Sequence, residues 1–146
     1  PDQLRAIMAC FDDEATDIAT LVRPFDSSRP YSELENPNSP KVVLDSQMRA
    51  RYFSRSVIPY VRGHEREQWP GLTQYYTHVG MYAYRERVLA QITRLPQSPL
   101  ELAESLEQLR WLENGYTIKA GITTTATIGI DTPEDLARAE EYLRNS

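Results

Sequence analysis

The stretch YYTHVGMYAYRER, Tyr75–Arg87, decides how this chain folds. Taken as a strand, it places Tyr76, His78, Gly80, Tyr82 and Tyr84 on one face and Thr77, Val79, Met81 and Ala83 on the other, because side chains alternate with a period of two. The second face is apolar or small, as a buried sheet surface requires. The first is unusual: phenols and an imidazole surround a glycine where covering helices normally meet Val, Ile and Leu. Two readings are open. The face packs against a covering helix, which the pattern alone slightly favours. Or it is a slot where imidazole and phenol hydrogen-bond a sugar or sugar acid, their rings cover its C–H surface, and Gly80 leaves the backbone accessible.

Working outward, RERVLAQITRL continues from the strand as a helix, and SPLELAESLEQLRWLENG reads as a single longer one. Ser98 supplies an N-cap hydroxyl, Pro99 suits the first turn, Glu101 completes a capping box and Gly115 is placed for a left-handed C-cap. Its inward stripe is Leu102, Leu106 and Leu109, flanked by Ala103 and Leu112, with Glu107 and Gln108 directed away. Upstream, PDQLRAIMACF is an amphipathic helix with Leu4, Ile7, Met8 and Phe11 on one side, and ATLVRPF is a short strand. KVVLD and RARYFSRS flank SQMR as a β-hairpin with an exposed tip. Two stretches, PFDSSRPYSELENPNSP and VIPYVRGHEREQWPGLTQ, read as loops, the first as one that holds no regular element. YTIKAGI is a final strand, and DTPEDLARAEEYLRNS a helix capped at Thr132. Strands interleaved with helices predict an α/β protein with a mixed or mostly parallel sheet.

The 146 residues, net charge of −5 and single cysteine suit one soluble domain in a reducing compartment, with Cys10 in a helix core position and the cytoplasm as the expected location. Arginines scattered among carboxylates argue against a nucleic-acid surface, and no apolar run reaches membrane-spanning length. The opening lacks a methionine and already lies within a helical pattern, so the chain reads as a fragment. It contains no Gly-rich phosphate loop, G-x-S-x-G, H-E-x-x-H or C-x-x-C. A nucleotide-cradling loop, if the protein uses one, is expected outside these residues.

Several side chains are candidates. Asp131 follows TIGI and precedes the Thr132 cap, a strand-to-helix position where α/β proteins place ligand-facing groups. It suits a divalent cation, and equally suits a solvent-facing carboxylate favoured by the helix dipole. Arg55 in FSRS can clamp a carboxylate bidentately or pair within the fold. Glu107 and Gln108 can bond hydroxyls, although such residues on a helix are usually solvated.

Taken in order, KVVLD, YFSRSVIPY, YYTHVGMYAYR, SPLELAESLEQLRWLENG and GIDTPEDL resemble the 3-deoxy-manno-octulosonate cytidylyltransferase (CMP-Kdo synthetase) family over nearly the whole chain. The resemblance is to the C-terminal half, the sugar-acid-binding and dimerisation part of a single cytidylyltransferase domain. It implies a nucleotidyltransferase fold of the nucleotide-diphospho-sugar transferase type, with a mixed sheet and flanking helices. It also implies transfer of CMP from CTP to the acid sugar Kdo, releasing pyrophosphate, for lipopolysaccharide biosynthesis, with Mg²⁺ and as a homodimer. On matching motifs, Asp131 is implied as a catalytic metal ligand, and Arg55, His78, Tyr82, Glu107 and Gln108 as contacts to the sugar acid. Met48 and Val57 depart from the family, which often has glycine and proline there; the TTTATI run before Gly129 matches no family segment. The alternatives are a cytidylyltransferase for another acid sugar such as sialic acid, and a non-catalytic binding or dimerisation fragment.

Overall fold

The computed structural model describes residues 2–124. Along them run α1 (Asp2–Ala9), β1 (Ile18–Pro24), α2 (Tyr31–Leu34), β2 (Lys41–Leu44), β3 (Ala50–Ser54), α3 (Trp69–Leu72), β4 (Tyr76–Tyr84), α4 (Glu86–Ile92), α5 (Pro99–Glu104), α6 (Gln108–Glu113) and β5 (Ile118–Ile122). The expected capped segment from Thr132, Asp131 itself and the TTTATI run from Thr125 onward lie outside the described residues.

The strands form one mixed five-stranded sheet in the order β3-β2-β4-β1-β5. The interior strand β1 is buried from Ile18 to Val22 and runs antiparallel to the central strand β4 but parallel to the edge strand β5. Alternation on β4 sorts its residues as its sequence predicts. Tyr76, Tyr82 and Tyr84 pack with Ile18, Val22 and Trp111, while Val79 and Ala83 pack with Ala19, Leu21, Ile7 and Cys10 beneath α1. Met81 departs from that pattern. Pairing shifts from Leu21↔Val79 to Thr20↔Tyr82, so β4 carries two extra residues there, and Gly80 and Met81 are exposed at the irregularity. An insertion of two preserves the facing of the residues on either side.

The hairpin β2–β3 accounts for the aromatic face. It meets β4 at Lys41↔Thr77, and its turn reaches β5 through the Arg49↔Lys119 bridge and a 2.8 Å bond from Ala120 N to Met48 O. It curls over the sheet and packs Val42, Ala50 and Phe53 against Ile18 and Val22. The expected exposed tip is therefore corrected: Ser46 and Gln47 are exposed, but Met48 and Arg49 are half-buried because they dock on β5. Met48 adopts φ 62°, the left-handed region that favours glycine.

Helix α1 also differs from its predicted facing. Ile7 and Cys10 are buried, whereas Leu4 is 62% and Met8 55% exposed. The cause is close approach: a Cβ on Gly121 of β5 would stand 2.8 Å from the Ala6 carbonyl oxygen. The helix thus lies on its narrow Ala6 edge, which turns Leu4 and Met8 outward.

The two loop stretches are more ordered than their composition suggests. They contain α2, α3 and a 3-10 turn at Arg66–Gln68, and they enclose a small core of Leu34, Trp69 and Tyr75. Lys41 ties them together: its buried ammonium donates to Asn36 O at 2.8 Å and Arg55 O at 3.2 Å.

The single helix expected from Pro99 to Asn114 is two helices. The Ser98–Glu101 capping box forms, and Gly115 takes φ 83° as predicted, but Ser105 is left-handed at φ 54° and ψ 46°. The break swings α6 relative to α5, leaving Leu102 60% exposed and burying Gln108 to 5% exposure, both opposite to the expected stripe. Glu101 spans the joint, accepting from Arg110 Nε at 2.7 Å while its other role is to cap α5.

Candidate functional site

The aromatic face of β4 is walled by three elements. The His78 ring meets Phe53 of β3 edge-on at 5.0 Å and Tyr82 at 5.4 Å. Trp111 of α6 stands edge-on to both Tyr82, at 5.1 Å, and Tyr84, at 5.7 Å. Such contacts each contribute roughly 0.5–1.5 kcal/mol beyond area burial. The outer tyrosines pack, and His78 and Tyr82 sit at the centre of the wall.

Burial controls the charge state of both central groups. It pushes the His78 imidazole down to about 4, so the ring is neutral near pH 7. It pushes the Tyr82 phenol well above its ordinary range, with Tyr84 and Glu107 adding to the effect. Burial and then Glu107 raise Tyr84 as well. Two neutral, directional hydrogen-bonding groups in an aromatic setting suit a polyhydroxylated ligand better than a bare ion.

His78 is held from β1. Its Nε2 lies 2.9 Å from Thr20 Oγ1, a buried hydroxyl that also lies 2.8 Å from Met81 O and 3.3 Å from Val79 O. Thr20 escaped sequence reading. Its only signal is a polar residue inside the apolar run IATLV, which β-propensity treats as ordinary.

Arg55 lies where β3 leaves the hairpin, and its guanidinium is already engaged. Nε donates to Glu104 O at 2.6 Å, Nη1 to Pro37 O at 2.7 Å and Nη2 to Ser105 O at 3.1 Å. Two of its five N–H donors remain for other partners. Arg55 lines a groove of about 420 Å³ with Tyr31, Glu35, Tyr60, Arg66 and Trp69. His78 and Tyr82 do not line that groove.

Glu107 and Gln108 open α6, one turn from Trp111. Glu107 is exposed and borders a recess of about 290 Å³ with Tyr84, Arg110 and Trp111. Glu107 and Gln108 thus adjoin Trp111, which packs on Tyr82, while His78 meets this group through the Tyr82 ring and Arg55 stands at the α5–α6 joint. Lys41 and Glu104 also went unread. Burial lowers the Lys41 ammonium to about 8, and Glu104 Oε1 accepts from Ser54 Oγ at 3.1 Å and Arg55 N at 3.0 Å. Nothing local distinguishes these two from ordinary surface charges.

Among the described residues, no three His, Cys, Asp or Glu side chains gather as a cation site. The expected ligand, Asp131, lies outside the described residues. No helix of the described residues is long and apolar enough to cross a membrane.

Residues 2–120 match the family model described as Cytidylyltransferase. The chain is 61% identical over 145 residues to a 3-deoxy-manno-octulosonate cytidylyltransferase of Bacteroides thetaiotaomicron, covering 99% of this chain and 58% of that protein. Identity to the Porphyromonas gingivalis protein of the same name is 54%, over 99% of this chain and 57% of the relative. Among solved structures, CMP:2-keto-3-deoxy-manno-octonic acid synthetase complexed with CTP superposes with a TM-score of 0.79 at 35% identity, covering 99% of this chain and 56% of that one. The chain therefore spans just over half the length of the relatives it matches.

Proposed function

This chain belongs to the cytidylyltransferase family, and from that premise we propose that it is the sugar-acid-binding and dimerisation part of an enzyme that transfers CMP from CTP to Kdo. The products are CMP-Kdo, a lipopolysaccharide precursor, and pyrophosphate. The observation that carries the reading is the wall of His78, Tyr82 and Trp111, where a neutral imidazole and a neutral phenol project from one strand between aromatic surfaces. Such a wall orients a polyhydroxylated acid by directed hydrogen bonds while its rings cover C–H surface.

Fixing the acid sugar there lines up its anomeric oxygen for attack on the α-phosphorus of CTP, which replaces a bimolecular encounter by a positioned one. Glu107 and Gln108 at the start of α6 bond its hydroxyls, and the free donors of Arg55 attract its carboxylate. Asp131 is this chain's contribution toward Mg²⁺, a group that neutralises charge at the phosphates when bound. A cytoplasmic homodimer completes the proposal.

The test is pyrophosphate release by the full-length parent, which is expected only when CTP, Kdo and Mg²⁺ are all present. Equal turnover with sialic acid and unrelated acid sugars would reject the substrate. Asp131→Asn is expected to lower turnover far more than melting temperature; the reverse pattern would return Asp131 to a capping role.

A second reading, a binding or dimerisation fragment without chemistry, draws on the absence of any Gly-rich phosphate loop in these 146 residues. Under both readings the isolated chain does not turn over CTP, and sedimentation of it reports self-association. Only the parent's activity separates them.

A further inference from the structure

We propose that Thr20 is a positioning residue that fixes His78 as the Nε2–H tautomer, so that the site offers a substrate hydroxyl an imidazole acceptor at Nδ1. This rests on the reading that His78 faces the sugar acid.

The argument is one of counting protons. The Thr20 hydroxyl carries one, and three groups surround its oxygen: Met81 O at 2.8 Å, Val79 O at 3.3 Å and His78 Nε2 at 2.9 Å. Carbonyls only accept. If Thr20 gave its proton to Nε2, its 2.8 Å approach to Met81 O would set two acceptor oxygens against each other with no proton between them, which is unfavourable. With the proton on Met81 O, the threonine oxygen is free to accept, and Nε2 must be the donor. The two-residue irregularity in β4 creates this arrangement, because it brings the carbonyls of Val79 and Met81 against one side chain of β1.

A neutral ring protonated at Nε2 is unprotonated at Nδ1. Among the described residues nothing pairs with Nδ1, so its lone pair remains for a ligand. The consequence for recognition is directional. Nε2–H is spent inside the protein, and His78 has no N–H to offer a carboxylate or ketone. It selects a hydroxyl that donates. The acid function of the ligand must then be met elsewhere, by a cation.

Ring-nitrogen NMR on the ¹⁵N-histidine-labelled full-length enzyme tests this, with His78→Gln assigning the resonances. Wild type and Thr20→Ser are expected to show the Nε2–H pattern, Thr20→Val a mixed or Nδ1–H pattern, and Kdo is expected to shift Nδ1. In kinetics, Thr20→Val should raise KM for Kdo about three- to tenfold, the worth of one neutral hydrogen bond. KM for CTP should stay unchanged, and Thr20→Ser should restore the wild-type value. An Nδ1–H pattern in wild type, or an unchanged tautomer in Thr20→Val, overturns the proposal. The wild-type spectrum alone decides the tautomer if Thr20→Val does not fold. An Nε2–H ring whose Nδ1 ignores Kdo, with KM unmoved by Thr20→Val, instead removes His78 from the sugar-acid site, and the recognition role falls with it.

Discussion

Arg55 Nε donates to the carbonyl oxygen of Glu104 at 2.6 Å, and Nη2 donates to Ser105 O at 3.1 Å. One guanidinium therefore caps the last carbonyls of α5, where a helix leaves its terminal C=O groups unpaired. Ser105 can then turn left-handed and start α6 in a new direction. Because α6 carries Glu107, Gln108 and Trp111, Arg55 governs where that side of the site stands.

Replacing Arg55 by lysine removes the planar fork that reaches three carbonyls, since a point ammonium cannot span them. Arg55→Lys is expected to destabilise the fold by about 1–3 kcal/mol in urea unfolding. If the remaining donors also meet the sugar acid, KM for Kdo rises by more than the KM for CTP. Equal changes in both would assign Arg55 to the joint alone.

His78 makes stability depend on pH. Its folded value of about 4 lies below the ordinary 6.5, so the unfolded chain binds the extra proton first. Stability should rise with pH from about 4 to 6.5 and level off above, the His78 part amounting to at most about 3–4 kcal/mol. Comparing denaturant midpoints of wild type and His78→Gln across pH 4–7.5 checks this. The difference between their slopes should vanish above pH 7.

Gly121→Ala places a methyl group 2.8 Å from the Ala6 carbonyl oxygen, which is backbone and cannot swing aside. Helix α1 must lift from β5. A loss of about 1–3 kcal/mol is expected, with faster amide exchange along Asp2–Ala9 and little change in β2 and β3. Uniform exchange across the chain would contradict it.

At Met48, φ 62° imposes strain that glycine would relieve, while the side chain adds packing against the main core. These oppose each other. Met48→Gly is expected to stay within about 1 kcal/mol of wild type, and Met48→Val, β-branched at positive φ, to lose about 1–3 kcal/mol. Thermal denaturation distinguishes the two, and equal melting temperatures would refute the backbone argument.

The facing of β4 was legible because alternation is a property of neighbours two apart, and the aromatic and apolar sets of Tyr76–Tyr84 separate without knowledge of any partner. The Ser98–Glu101 box and the Gly115 turn were legible for the same reason, each lying within a few residues. The ordered motifs also pointed to the family. Two of the misread elements share one cause. Residues 99–114 look like one helix until Arg55, 49 and 50 residues earlier, takes the carbonyls of Glu104 and Ser105. The stripe of α1 looks right until Gly121 draws its Ala6 edge down.

By itself, the sequence determined which residues share a strand face, where the short-range caps lie and which family the motifs resemble, since each depends on local periodicity and stereochemistry. Only the tertiary structure decided that the β2–β3 hairpin covers the aromatic face, that Arg55 breaks a helix, and that Thr20 holds His78 from 58 residues away. Those outcomes depend on contacts whose partners are remote in the chain. A buried hydroxyl or guanidinium takes whichever acceptors the fold delivers, and no local preference records which those will be.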